Sequence, residues 1–243
     1  MRLIFLTLGL LSLFLIPTNS QAQLQVKLNF DYAFALGEFK ENIESNPFGG
    51  GFSVFKQFKE TDFQFGVDFN NYYYNKTSYD VDLTGKGFEN YMAEQREVDL
   101  FHKTDFFLRY LISSNESFMP YVEGRFGPAG FASFNMINDD DINYHNYNLE
   151  FHGIGFTGGL GTGIMIKPKK FPATFDFSII GSTGNEISYK GKGNGEEQPR
   201  PNIFSSNPTH IMARAGVIFQ FNGCNCDCDK TDVLKEEKLP TLY

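Results

Sequence analysis

Apolar and polar residues alternate along long stretches of this chain. Val26, Leu28, Phe30, Tyr32, Phe34 and Leu36 occupy every second position near the N-terminus, and the same alternation returns over residues 211–221. Successive side chains of an extended strand point to opposite faces, so this pattern predicts β-strands with one apolar face and one polar face.

Eight segments carry this pattern. They are residues 24–36, 49–58, 62–74, 98–112, 119–130, 153–167, 172–182 and 209–222. The connections between them are alternately long and short, with long ones at residues 37–48, 75–97, 131–152 and 183–208. Short periplasmic turns and long external loops are typical of bacterial outer-membrane barrels. The sequence therefore predicts an all-β protein, an eight-stranded antiparallel up-and-down transmembrane β-barrel.

Charged residues lie on the face opposite the apolar one. Five are basic and five acidic: Lys27, Lys103, Arg109, Arg125 and Arg214, with Asp31, Asp68, Asp105, Glu123 and Asp176. In a membrane barrel this face lines the lumen, and a barrel of eight strands is just wide enough for side chains to fill it. Buried charges must be paired. We therefore expect a lumen plugged by ion pairs, with a narrow channel as an alternative.

The N-terminus predicts export from the cytoplasm. Arg2, an apolar run at residues 3–16 and Ser20-Gln21-Ala22 form the three regions of a signal peptide, predicted at residues 1–22. The barrel then spans residues 23–222, and a periplasmic cysteine-containing tail spans residues 223–243. No later apolar run is long enough for a membrane helix, which leaves a closed barrel in the outer membrane. The formal net charge of −8 argues against nucleic acid as a partner.

Three stretches carry a family resemblance. They are the segment Pro120-Tyr121-Val122-Glu123-Gly124, the glycine-rich residues 153–163, and the aromatic strand end Phe219-Gln220-Phe221. With eight alternating strands, the chain resembles small outer-membrane barrels of the OmpX/PorT-like superfamily, Bacteroidota type. The resemblance implies embedding in the lipid bilayer, insertion by the barrel-assembly machinery, and a role in secretion or envelope assembly. The chain departs from many relatives by continuing for about twenty residues beyond Phe221, the aromatic end of the last strand.

One acidic segment partly matches a calcium loop. Asp139, Asp141, Asn143 and Glu150 fall at positions 1, 3, 5 and 12 of the EF-hand template. The template requires glycine at position 6, where this chain has Tyr144. A solvated acidic loop is the simpler interpretation, and calcium binding is left open.

All three cysteines lie in the tail, at Cys224, Cys226 and Cys228. In an oxidising periplasm they can form one disulfide and leave one thiol, which is free or linked to a partner. Three thiolates can also bind a soft metal, although no fourth ligand has a suitable spacing. The sequence leaves these alternatives open, and no metal or cofactor is assigned.

The candidates for catalysis are histidines near the outer rim. His145 and His152 lie in or beside a predicted external loop, but the chain has no G-x-S-x-G nucleophile motif. We therefore expect no enzymatic activity and assign no catalytic residue. The predicted role is structural or protein-interacting, either free-standing or as a subunit of an envelope assembly or secretion complex. A barrel enzyme acting on lipid or peptide is the first alternative, and a narrow channel is the second.

Overall fold

The computed structural model describes residues 24–58, 61–84, 91–113, 117–139, 144–192 and 202–221. The predicted signal peptide and cysteine tail lie outside these residues. The described elements are β1 (Leu24–Ala35), α1 (Gly37–Asn42), β2 (Phe48–Gln57), β3 (Phe63–Asp82), β4 (Met92–Leu111), β5 (Phe118–Asp139), β6 (Tyr144–Ile166), β7 (Ala173–Gly184), β8 (Ile187–Lys190), β9 (Ile203–Ser206) and β10 (His210–Phe221). Among these residues no helix has the length and apolar character needed to cross a membrane.

Eight of the strands form a closed antiparallel barrel, which confirms the predicted fold. Their order around the barrel is β1-β10-β7-β6-β5-β4-β3-β2. The first and last strands close the ring, so that Val26 of β1 pairs with Phe219 of β10 on one side and Val54 of β2 on the other. Closure leaves the membrane-spanning part without unpaired strand edges, which lipid does not tolerate. β8 and β9 form a separate two-stranded hairpin between β7 and β10.

The apolar face of the barrel points outward. Phe30, Phe126, Ile154, Leu160 and Ile179 are each more than half exposed. A soluble barrel of the lipocalin type has its apolar side chains inside, so this arrangement suits a lipid environment.

All ten predicted lumen charges are buried inside the barrel and paired, as expected. Arg214 Nη2 lies 2.7 Å from Asp31 Oδ2, and its other terminal nitrogen contacts Asp68. Arg109 Nη2 lies 2.9 Å from Glu123 Oε2. The remaining pairs link Lys27 to Asp176, Lys103 to Asp105, Arg109 to Asp176, and Arg125 to Asp68, Asp105 and Glu123. This ionic layer fills the middle of the lumen.

Two apolar layers enclose the ionic layer. The layer near the short turns consists of Phe55, Phe107, Leu111, Tyr121, Met165 and Ile218. It is packed so closely that a Cβ on Gly163 would lie 2.5 Å from the Tyr121 ring. The layer at the opposite end, which we call the aromatic layer, has six aromatic residues among its thirteen and includes Tyr72, Tyr74, Phe101 and Phe131. The core of the barrel is therefore the lumen itself.

The aromatic layer is completed by two elements that the sequence did not predict. α1 inserts Phe39, and β8 inserts Tyr189; both side chains are fully buried, with ring centroids 5.2 Å apart. α1 and the β8–β9 hairpin are joined where the Lys192 amide donates to the Asn42 carbonyl. The predicted loops 37–48 and 183–208 thus contain the elements that close this mouth of the barrel.

The prediction of long loops at residues 75–97 and 131–152 was largely wrong, because most of these residues belong to β-strands. β3 and β4 stay paired up to Asp82 and Met92, and β5 and β6 up to Asp139 and Tyr144. These extensions were missed because polar residues occur on both of their faces or because the alternation changes phase.

The change of phase has a structural cause in two β-bulges. Tyr74 is the extra residue between the pairs Tyr73–Leu100 and Asn75–Asp99. His152 is the extra residue where β6 pairs with β5 at Phe131 and Ala132. A bulge inserts one residue and exchanges the two faces of the strand beyond it.

The bulge at Tyr74 also divides a run of three tyrosines between the two faces of β3. Tyr73 is 46% exposed on the outside of the barrel, whereas Tyr72 and Tyr74 are buried in the lumen. Only Tyr73 of these three residues is therefore placed at the membrane–water boundary.

Candidate functional site

A four-stranded sheet continues beyond one end of the barrel. It consists of residues 75–82, 92–99, 132–139 and 144–152, and we call it the outer sheet. It begins beyond an outward-facing aromatic group formed by Tyr32, Phe48 and Tyr73, of the kind that marks a membrane–water boundary. The turns at the opposite end are short, so the outer sheet belongs to the extracellular side.

One face of the outer sheet continues the lumen wall and is mainly polar. It presents Thr77, Tyr79, Gln95, Asn135, Asn146, Asn148 and Glu150, which we call the polar face. The Gln95 amide donates to the Tyr79 hydroxyl at 2.6 Å and to Asn135 Oδ1 at 3.3 Å. These bonds connect three neighbouring strands and hold the side chains in one row. Among the described side chains of this face, the apolar ones lie at the tip, around Val81, Ala93 and Ile137.

The base of the polar face is tied to the β8–β9 hairpin by an ion-pair cluster. Lys190 Nζ lies 2.8 Å from Glu97 Oε1 and 3.4 Å from Glu150 Oε2. Partial burial acts to lower the pKa of Lys190, but the hydrogen bonds and charges of Glu97 and Glu150 together raise the pKa above its ordinary value. Lys190 therefore stays protonated and fixes the hairpin over the mouth of the barrel.

A serine, a histidine and an aspartate meet beside this cluster. The bulge turns His152 inward, so that its Nε2 lies 2.7 Å from Ser133 Oγ. The Ser133 hydroxyl also bonds to Asp99 Oδ1, and Asn75 Nδ2 donates to Asp99 Oδ2 at 3.1 Å. Sequence analysis had singled out His152 but not Ser133 or Asp99, which lie far from it along the chain.

The connectivity of these three residues differs from that of a hydrolytic triad. A triad places the imidazole between the hydroxyl and the carboxylate. Here the Ser133 hydroxyl lies between the carboxylate of Asp99 and the imidazole of His152, and Ser133 has no exposed surface. Burial raises the pKa of Asp99 to about 6, and Glu97 adds to this; burial lowers the pKa of His152, as does Lys190. The arrangement anchors the bulge.

The remaining histidines are dispersed. His145 lies on an exposed part of β6, away from the Ser133 hydroxyl. His102 faces outward and bonds to Asn71, while His210 is buried against the Phe101 ring at 5.9 Å. The two histidines considered for catalysis, His145 and His152, therefore occupy different environments.

The predicted calcium segment is only partly described. Asp141 and Asn143 lie outside the described residues, and Asp139 ends β5. Glu150 is a strand residue of β6 and contacts Lys190, which differs from the last ligand of a continuous loop. Within the part of the chain that the structure describes, no three histidine, cysteine or carboxylate side chains are grouped to hold a metal ion.

The polar face was not found by sequence analysis. The sequence pattern that could have indicated this face is a short alternation in which Thr77, Tyr79 and Val81 occupy every second position. The bulge at Tyr74 puts this alternation out of phase with the preceding strand, so it does not extend the pattern of β3.

Comparisons with solved structures find small outer-membrane proteins. Neisserial surface protein A (NspA) is 13% identical, covers 83% of this chain and 98% of its own, and has a TM-score of 0.41. A major outer membrane protein from Thermus thermophilus is 11% identical, covers 82% and 99%, and has a TM-score of 0.43. The attachment invasion locus protein Ail of Yersinia pestis is 11% identical, covers 82% and 97%, and has a TM-score of 0.38. The resemblance to Bacteroidota members stays a prediction.

No protein-family model matches the chain, and no curated protein does. The closed sheet, the outward apolar side chains and the paired charges inside define its environment. The chain is a transmembrane β-barrel protein with a lipid-facing apolar surface, the architecture that is typical of bacterial outer membranes.

Proposed function

We propose that this protein is a non-conducting outer-membrane barrel with a structural or protein-interaction role, and that the polar face is its binding surface. The single observation that carries the proposal is the row formed by Tyr79, Gln95 and Asn135 on an extracellular sheet. A subunit of an envelope assembly or secretion complex would use such a surface to contact its partners.

The chemistry of the polar face favours a polar partner. Its amide and hydroxyl groups donate and accept hydrogen bonds, and Glu150 is half exposed beside them. Interfaces of transient complexes carry about one hydrogen bond per 100–200 Å², so a sheet face with this density of polar groups can satisfy a partner surface.

A matched pair of variants tests the polar face. The double variant Gln95→Ala/Asn135→Ala removes two amides from the row, and we expect partner binding to weaken roughly tenfold or more, since each lost bond costs about 1 kcal/mol. The measurement is quantitative mass spectrometry of proteins that co-purify from gently solubilised outer membrane. Ser78→Ala, on the opposite face of the same sheet, is the control. Equal recovery of partners with the double variant and the control would contradict the proposal.

The narrow-channel alternative has a separate test. Three successive layers of side chains fill the lumen, with the ionic layer between two apolar ones. We therefore expect purified protein in planar bilayers to show no steady unit conductance at any moderate voltage. Reproducible conductance steps that persist after the β8–β9 hairpin is cross-linked to the barrel would favour the channel.

The enzyme alternative is disfavoured by the position of Ser133. A nucleophile must reach its substrate, and the Ser133 hydroxyl is buried and shared between Asp99 and His152. The proposal accordingly includes no catalytic activity. Hydrolysis of lipid or peptide substrates by the purified protein, abolished by Ser133→Ala, would overturn this part of it.

A further inference from the structure

The second face of the outer sheet divides into a charged half and an apolar half. On β3 and β4 it presents mainly charged and polar residues, Lys76, Ser78, Asp80, Glu94 and Arg96, with Met92 at the tip and Val98 next to the barrel. On β5 and β6 it presents Phe134, Met136, Tyr147, Leu149 and Phe151, which we call the apolar strip. The two halves belong to one sheet and lie equally far from the barrel, so distance from the membrane does not explain the difference.

The bulge at His152 shows that the apolar strip continues the lipid-facing surface. On the barrel side of the bulge, the outward residues of β6 have even numbers, as in Ile154 and Leu160. On the side of the outer sheet they have odd numbers, as in Leu149 and Phe151. The apolar residues change phase at the same point and stay outward. On β3 the corresponding bulge at Tyr74 is followed by charged and polar outward residues instead.

The apolar strip is exposed in the isolated chain. Tyr147, Leu149 and Phe151 are 58%, 47% and 65% exposed, and the Phe134 and Tyr147 rings stack at 6.2 Å. A contiguous exposed apolar surface marks contact with a partner or a membrane. Its continuity with the lipid-facing residues of β6 identifies the membrane as that partner.

The length of β6 sets the geometry of this contact. A tilted strand crosses the apolar layer with about 9–11 residues, and β6 has 23 residues, so a straight hairpin would carry the apolar strip above the hydrocarbon. A bulged strand bends. If the hairpin leans away from the barrel axis at His152, its outer face turns toward the lipid surface and the polar face turns toward the medium. Headgroup and interfacial regions extend the bilayer to about 40–45 Å, which provides the layer that the strip contacts.

We infer that the apolar strip of the β5–β6 hairpin lies against the outer leaflet of the membrane and contacts its lipids. Tyr147 then occupies the interfacial position that tyrosine favours. The contact tilts the outer sheet and presents the polar face outward. This inference does not depend on what the polar face binds.

The absence of tryptophan from the sequence allows a direct test. Single-tryptophan variants Leu149→Trp, Leu160→Trp and Ser78→Trp report on the apolar strip, the membrane-spanning part of β6, and the charged half of the outer sheet. Each is reconstituted at low protein density in phosphatidylcholine vesicles with or without brominated acyl chains, which quench tryptophan on contact. Phe151→Trp serves as a second reporter if Leu149→Trp fails to fold.

Lipid contact predicts one pattern of fluorescence. Emission from Leu149→Trp should be blue-shifted and quenched by brominated lipid to an extent close to that of Leu160→Trp, while Ser78→Trp should resemble tryptophan in water. If the emission and quenching of Leu149→Trp and Phe151→Trp both matched those of Ser78→Trp, the inference would be overturned. Blue-shifted emission that brominated lipid does not quench would also overturn it, because the strip would then be covered by protein, such as a second copy of the chain.

Discussion

Replacing Arg214 with methionine is expected to lower the free energy of unfolding of the barrel by about 3–5 kcal/mol, the cost of leaving buried charges without their partner. Arg214 forms ion pairs with Asp31 and Asp68, and all three side chains are fully buried. Methionine keeps much of the volume but removes five donors. The measurement is a urea titration in lipid vesicles followed by the heat-dependent shift of the folded band on a gel.

The control for Arg214→Met is the same substitution at an exposed ion pair. Arg96 lies 3.1 Å from Glu94, and both side chains are about half exposed. Exposed ion pairs contribute about 0–1 kcal/mol, so Arg96→Met should leave the titration nearly unchanged. Equal effects of the two substitutions would mean that the lumen charges are hydrated rather than paired, which would contradict the closed ionic layer.

Replacing Phe39 with alanine is expected to open the extracellular mouth of the barrel. Phe39 is fully buried and packs against Tyr74, Phe101, Phe131 and Tyr189. Removing a buried phenylalanine side chain costs about 3–5 kcal/mol. Because α1 has only six residues and no side-chain cap, it has little stability of its own to offset this loss.

The effect of Phe39→Ala should be local. Protease added outside intact vesicles should cleave the α1 segment many times faster than in the unaltered protein, while the barrel keeps its heat-dependent gel shift. Phe58→Ala, at an exposed phenylalanine near the opposite end, is the control and should not change the cleavage rate. Unchanged protection in the Phe39 variant would show that α1 is held by backbone contacts and not by its aromatic side chain.

The membrane-spanning part of the fold could be predicted because it depends on a local property. Alternation with a period of two assigns each side chain to a face from the sequence alone. The face in contact with lipid must be apolar, and the face that lines the filled lumen can hold paired charges. Lys27, Asp31 and Arg214 were placed inside the barrel on this basis, and their burial and pairing follow. The partners in each ion pair were not predictable, because they depend on the register of strands that are distant in the sequence.

The candidate site could not be predicted to the same extent. The bulges at Tyr74 and His152 interrupt the alternation, and a strand out of phase with its predecessor resembles a loop in the sequence. Ser133 and Asp99 are brought to His152 by pairing across three strands, for which no motif exists.

The amino-acid sequence by itself therefore determined the eight membrane strands, their lipid-facing and lumen-facing sides, and the balance of charge within the barrel. Only the tertiary structure decided how far the strands continue beyond the membrane, that Phe39 and Tyr189 close one mouth, and that one outer surface is polar while its reverse carries an apolar strip. The physical reason is that face and burial follow from neighbours in sequence, whereas closure and extension depend on strand pairing between residues far apart in the chain.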